Sequence, residues 1–308
     1  MSDIVLKVDV DTWRGTREGV PALRRLFDAS GVAATFLFSL GPDRTGRALR
    51  RALRPGFFGK VSRTSVVEHY GIRTLMYGTL LPAPDIGRRG AAVLRAVRDA
   101  GHECGVHCWD HTTWQDFVAT RPCDWTRRQM ALAVERFAEV FGRPPRIHGA
   151  AGWQMNPHAY ALLAELGFSA ASDSRGSTPY QPVDAAGRDL GVPQLPTTLP
   201  TLDELIGLDG LSPGNVHAAL LARTERDARP LQVYTLHAEL EGQRLLSVMQ
   251  RLLEGWRAQG HRFVTLGAAA DRLDRSALPR LPLRTGEVPG RSGTLELQAA
   301  VAGIGSSP

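Results

Sequence analysis

Ile4-Val5-Leu6-Lys7-Val8-Asp9-Val10-Asp11 reads as a short apolar strand that ends in two carboxylates. Side chains two apart on a strand share a face, so Lys7, Asp9 and Asp11 stand together. Adjacent carboxylates repel each other and cost desolvation, which makes a divalent cation a natural reason to keep both. Lys7, on the same face, is the alternative neutraliser. An Asp-x-Asp by itself is a weak signal, because an aspartate capping a strand-end turn explains most such pairs.

Outward from this strand, apolar runs alternate with amphipathic stretches. Strands are expected over 4–11, 34–40, 103–107, 146–150, 170–173, 194–197, 233–237 and 263–266, and helices around 20–29, 91–100, 127–141, 158–166, 214–226 and 244–259. Gly31, Gly101, Gly142, Gly167 and Gly260 follow five of the helical stretches, where a left-handed residue commonly closes a helix. The alternation predicts a parallel α/β sheet or barrel. The polar strand ends all lie at the C-terminal end, where parallel barrels keep their active sites.

Two further elements join the carboxylates. His107-Cys108-Trp109-Asp110-His111 ends one strand and brings two imidazoles to one side of a helical turn, with Cys108 as an alternative ligand. His237 ends another, Val233-Tyr234-Thr235-Leu236-His237. A chance His-x-x-x-His is common, and a histidine ending a strand is often a satisfied rim residue. The weight comes from three such groups converging on one barrel mouth.

Hydrophobic residues at 43% and charged residues at 22% are ordinary for a globular protein, and no apolar run approaches the length of a membrane span. The N-terminus opens directly into a strand pattern, so no signal peptide is expected. Three cysteines suggest no disulfide framework, and a reducing cytoplasm fits best. The net charge of +6 is local. Arg44, Arg47, Arg50, Arg51, Arg54, Lys60 and Arg63 lie in a stretch without an acidic residue, and removing those seven would leave the rest one unit negative. This points to an anionic surface or substrate and not to nucleic acid. The stretch belongs to an insertion over 44–84, in which Arg47, Arg50, Arg51 and Arg54 fall on one helical face and Ala48, Leu49, Ala52 and Leu53 on the other. Such a segment can lie on an anionic membrane; a solvated helix packing Leu49 and Leu53 on the domain is the bland alternative. From about Ser276 the chain turns rich in Pro, Gly, Arg and Ser, and 276–308 reads as a poorly ordered tail.

The sequence resembles the polysaccharide deacetylase (NodB-homology) family, which shares an Asp pair on strand one, a downstream His-x-x-x-His and a late histidine. The similarity runs from about residue 4 to residue 275. It includes Asp-Val-Asp-Thr-Trp-Arg-Gly-Thr-Arg-Glu-Gly-Val-Pro at 9–21, His107–His111, Ala150-Ala-Gly-Trp153, Ser172-Asp-Ser-Arg-Gly176, Leu195-Pro-Thr-Thr-Leu-Pro-Thr201 and Tyr234-Thr-Leu-His-Ala-Glu239.

The resemblance implies a single distorted (β/α) barrel of about seven strands over 1–275. It implies a metal-dependent amide hydrolase that removes an N-formyl group from an amino sugar carried on undecaprenyl phosphate at the cytoplasmic face of a membrane. It assigns Asp11, His107 and His111 to one divalent metal ion, zinc, manganese or cobalt, Asp9 to the general base and His237 to the general acid. Asp173 takes the place of the family aspartate that orients the acid histidine, with Arg175 paired to Asp9 or Asp173. Trp109, Trp153 and Glu239 are candidate substrate contacts, packing being the plainer reading of the tryptophans. Arg47 and Arg51 would hold the phosphate. The family's strand-four Arg-x-Pro is replaced here by Ala150-Ala151-Gly152-Trp153, which counts against an ordinary chitin or peptidoglycan deacetylase. Deacetylation of another glycan, or a non-catalytic barrel that binds anionic lipid, are the alternatives. Oligomeric state is not legible.

Overall fold

The computed structural model describes residues 2–48, 71–227 and 229–299. Arg50, Arg51, Arg54 and the amphipathic pattern expected around them lie outside the described residues.

Strand β1 (Asp3–Val10) is the axis of a seven-stranded parallel sheet. Strand β7 (Leu231–His237) takes one whole edge of it, from Asp3 beside Leu231 to Asp9 beside His237. The other edge is shared. Strand β8 (Arg262–Val264) pairs with Asp3–Val5, and β2 (Thr35–Ser39) takes over from Lys7. Beyond β2 follow β3 (Glu103–Cys108), β4 (Ile147–His148) and β5 (Ala170–Ala171). The strand expected over 194–197 is not a continuous one, because Pro193 and Pro196 have no N–H to give a ladder. It still closes the curl: Leu195 N–H donates to Ala171 O at 2.8 Å and Thr198 N–H to Val233 O at 3.0 Å, bridging β5 to β7.

The period of two sorts β1. Ile4, Leu6, Val8 and Val10 are buried in the large core packed under the helices. Val5 joins Leu37, Ile147, Ala170, Leu195 and Val233 in a second apolar cluster on the opposite face. Along β1 and β7 that second face climbs from Val5 beside Val233, through Lys7 beside Thr235, to Asp9 beside His237. The expected helices form at Val20–Ser30, Ile86–Asp99, Cys123–Phe141, Pro157–Glu165, Val216–Arg226 and Leu246–Ala258. The second begins earlier than its apolar pattern suggested, because Asp85 caps it by accepting from Arg88 N–H at 2.9 Å.

The reading of 276–308 as a tail is corrected as far as Gln298. Strands β9 (Arg280–Gly286) and β10 (Leu295–Gln298) form a three-stranded sheet with β6 (Gln181–Val183). β10 docks on the barrel through Arg175 N–H to Glu296 O at 2.9 Å and Gln298 N–H to Arg175 O at 2.7 Å. The Gln298 amide oxygen accepts from Ser177 N–H at 2.7 Å. These partners lie more than a hundred residues away in sequence, so local composition gave no sign of them.

A buried knot ties β4 to β5. Asp173 accepts from Ala150 N–H at 2.8 Å and from the Gln194 amide at 3.1 Å, and meets His148 Nδ1 at 2.7 Å. Burial pushes its carboxyl pKa up, but His148, Gln194 and Lys7 outweigh this and hold it below the usual carboxylate value. A depressed carboxylate pKa stabilises the fold above the unfolded-state value, and that contribution is lost as pH falls through the folded one. Asp173→Asn should therefore cost roughly 3 kcal/mol at neutral pH, as for other broken buried pairs. In urea unfolding followed from pH 7 downward, the gap to wild type should close below about pH 4; a gap constant with pH would show that the carboxylate's charge is not what stabilises.

Candidate metal centre and active site

β3 ends at Cys108, and Asp110 caps the next helix, His111–Phe117, by accepting from Thr113 N–H at 3.0 Å. This cap starts a helical turn at His111 and brings it back over His107, their rings 5.4 Å apart. Asp11, just past the end of β1, reaches both: its Oδ1 lies 3.2 Å from His107 Nε2 and 3.4 Å from His111 Nε2. Donor atoms of the three residues all lie within 4.8 Å of one another.

The donor set fits a divalent cation. His107 Nδ1 lies 2.6 Å from Gly149 O, so it carries the proton there and leaves the Nε2 lone pair facing Asp11. A neutral imidazole and a carboxylate then present lone pairs to each other, an arrangement that a cation between them resolves. Asp11 Oδ1 is buried and has no hydrogen-bond partner among the described residues. Burial raises the Asp11 pKa, but when the imidazoles are protonated instead, His111, His107 and His237 outweigh it and hold it far below the ordinary range. Cys108, the alternative ligand, points away, because successive residues of a strand face opposite sides. Its thiol sits 3.3 Å from Ser39 Oγ in the core, and burial pushes its pKa well up.

Asp9 and His237 lie side by side at the same mouth. Asp9 Oδ2 is 3.5 Å from Lys7 Nζ, whereas Oδ1 is buried without a hydrogen-bond partner among the described residues. His237 is fixed through its backbone N–H, which donates to Glu241 Oε2 at 2.9 Å. Its Nδ1 is 4.0 Å from Asp203 Oδ1. Burial lowers the imidazole pKa, but Asp203, Asp11, Glu241 and Asp9 win and raise it to about 9.

Several expected contacts fall elsewhere. Asp173 is committed to His148, Ala150 and Gln194, and none of these hydrogen bonds reaches His237. The carboxylate within ion-pair distance of the His237 ring, at 4.0 Å, is Asp203, which the sequence reading missed. Arg175 pairs with neither Asp9 nor Asp173; it binds buried Glu204 and Leu199 O, and its guanidinium lies 5.0 Å from the Trp153 ring centre. Asp173 is already satisfied, and Glu204 is the buried charge that Arg175 reaches. The spacing Thr201-Leu-Asp-Glu204 was the available signal, since it forms the capping box of a short helix at Leu202–Leu205 and so places Asp203 in its first turn.

Trp153 is buried, donates from Nε1 to Thr197 Oγ1 at 3.1 Å, and has Lys7, Arg175 and Arg291 around its ring at 4.6–5.1 Å. Trp109 packs beside Gly41 under the Arg136 guanidinium. Glu239 holds the turn after β1: its Oε1 accepts from Thr12 N–H at 2.9 Å, Thr12 Oγ1–H at 2.7 Å and Asp11 N–H at 3.2 Å. Burial and the Asp11 charge push its carboxyl pKa up to about 8. Arg47 is exposed and donates to Gly78 O, and Arg51 lies outside the described residues. Arg291, in the segment read as a tail, reaches the site's edge, 3.4 Å from Glu204 and 3.8 Å from Asp203.

No protein-family model matches the chain. It is 34% identical over 98% of its length, and 96% of the relative's, to a Shewanella sediminis protein named "Probable 4-deoxy-4-formamido-L-arabinose-phosphoundecaprenol deformylase ArnD". It is 28% identical to the protein of the same name from Wigglesworthia glossinidia brevipalpis, over 93% of this chain and 99% of that one. Among solved structures it is similar in fold to a polysaccharide deacetylase from Mycobacterium smegmatis, with a TM-score of 0.63, 18% identity, and coverage of 93% of this chain and 95% of the other. With a NodB-type half-barrel around Asp9, Asp11, His107, His111 and His237, and sequence identity along almost its whole length, the chain belongs to the 4-deoxy-4-formamido-L-arabinose-phosphoundecaprenol deformylase (ArnD) family.

Proposed function

We propose that this chain hydrolyses the N-formyl amide of 4-deoxy-4-formamido-L-arabinose carried on undecaprenyl phosphate, giving the 4-amino sugar and formate, as a step of lipid A modification that supports resistance to cationic peptides such as polymyxin. The observation that carries this reading is the meeting, at one barrel mouth, of a three-donor metal site with a carboxylate and a histidine that the site itself does not use. A metal-binding role alone would need neither Asp9 nor His237.

Asp11, His107 and His111 would hold zinc, manganese or cobalt, which when bound polarises a carbonyl oxygen and acidifies water. Asp9 Oδ1, which accepts no hydrogen bond among the described residues, takes the proton of the attacking water. His237, whose protonated form the surrounding carboxylates favour, gives a proton to the departing amine nitrogen. Water supplies one oxygen of formate, the formyl carbonyl keeps the other, and the C–N bond breaks to the neutral amine.

The polyprenyl phosphate is the substrate part that the cationic stretch 44–63 would meet, and that support is one of sequence alone. No described helix is long and apolar enough to cross a membrane. The reading places the chain on the cytoplasmic membrane surface, held by its lipid substrate.

Two tests follow. Asp11→Ala and His107→Ala should each weaken cobalt affinity by about 100-fold or more, the scale seen even for disturbed outer-shell partners, while Cys108→Ser leaves it unchanged. An unaltered affinity in Asp11→Ala would place the metal elsewhere. Protein stripped and reloaded with metal should release formate from the formamido-arabinose polyprenyl phosphate and leave the acetamido analogue largely intact. His237→Ala should lower kcat by roughly 100-fold or more, as for other lost general acids, with cobalt affinity retained. Full turnover by His237→Ala, or none by the wild type with any of the three metals, would overturn the assignment.

A further inference from the structure

We infer that Lys7 is a positioning residue for Asp9: it holds one carboxylate oxygen from below and so leaves the other facing the barrel mouth. The inference rests on the proposed role of Asp9 as base and deepens it.

Lys7 is fully buried, a costly place for an ammonium unless its protons are used. It sits one step below Asp9 on the same strand face. Its Nζ donates to Ser172 O at 3.0 Å, lies 3.5 Å from Asp9 Oδ2, and stands 5.1 Å from the centre of the Trp153 ring. A backbone carbonyl, a carboxylate and an aromatic face thus surround the ammonium; Asp173 also acts on it by charge, but only Asp9 lies within ion-pair distance. The cation bears on Oδ2, whereas Oδ1 accepts no hydrogen bond among the described residues and has His107 Nδ1 no nearer than 3.9 Å. This asymmetry is what a base needs, because one oxygen anchors the rotamer and the other stays available for a proton.

The room for Lys7 comes from Gly149. A Cβ there would fall 3.0 Å from Lys7 Cε and 2.3 Å from Leu37 Cδ1. The same glycine's carbonyl fixes the His107 tautomer. One residue of the β4 end therefore admits the lysine that holds the base and orients an imidazole of the metal site.

The test compares Lys7→Met, Lys7→Arg, Asp9→Asn and the Lys7→Met/Asp9→Asn double variant, each loaded with cobalt, on the formamido-arabinose polyprenyl phosphate. Lys7→Met should lower kcat by about 100-fold, the scale of a catalytic group misplaced by an ångström, with KM and cobalt affinity nearly unchanged. Lys7→Arg, which keeps a cation, should recover most of the loss. In the Asp9→Asn background, Lys7→Met should cost almost nothing further, because the two residues act as one. A crystal structure of Lys7→Met should show the Asp9 carboxylate turned from its wild-type rotamer. If Lys7→Met does not fold, Lys7→Gln carries the same comparison. Wild-type kcat in Lys7→Met, an unmoved Asp9, or an equal loss in both backgrounds would overturn the inference while leaving Asp9 as base. Full activity in Asp9→Asn would overturn the base assignment and the inference together.

Discussion

Asp9 meets His237 because β1 and β7 pair in parallel over seven consecutive residues. That pairing carries a polar mouth on an apolar floor, with Val5 and Val233 below and Asp9 and His237 above. A slip of one residue would exchange the faces of β1, turning Lys7 and Asp9 into the helix layer and Leu6 and Val8 into the interior. The large core rules this out, since Ile4, Leu6, Val8 and Val10 are all buried under the helices. The apolar side of the strand therefore fixes the position of its polar side.

The charge at the mouth is unbalanced toward the acidic. Asp9, Asp11, Asp203, Glu239 and Glu241 crowd two imidazoles, His237 and the one buried ammonium of Lys7. The sign of that excess is His237, which the carboxylates around it raise to about 9 against its burial, whereas Glu239 and Glu241 are pushed to about 8 and about 7 first by burial and only then by the neighbouring Asp11 and Asp203. A divalent cation between Asp11 and the imidazoles would relieve it, and the ion would then be the largest local charge. Farther out, the carboxylates are matched by fixed cations: Glu204 is held by Arg175 and Arg291, and Asp110 by Arg44.

Trp153 links these regions. Its backbone has φ of 53°, a left-handed conformation unusual for a bulky residue and one that persists only when its surroundings dictate it. Those surroundings are Thr197 on the closing segment, Lys7 inside the barrel, Arg175 after β5, and Arg291 from the C-terminal sheet. Gly290 lets that last segment come close, because a Cβ there would lie 2.4 Å from Glu204 O. The C-terminal strands thus buttress the wall that carries Asp203 beside His237.

Local sequence was enough for whatever depends on neighbours along the chain. The strand period put Lys7, Asp9 and Asp11 on one face, the His-x-x-x-His spacing with its Asp110 cap made the two-imidazole turn, and the helical periods marked six of the helices among the described residues. Only the tertiary structure decided which carboxylate serves which partner. Asp173 turns to His148, 25 residues away, and Asp203 lies beside His237. Arg291 crosses 87 residues to Glu204, and β10 finds its place against Arg175. Side chains of similar charge compete for such contacts, and only closure of the barrel sets the distances between them. The strand pattern at 194–197 failed for a related reason: its apolar residues were right for the interior, but its prolines allowed only isolated bridges, a trade settled by which N–H groups the neighbouring strands required.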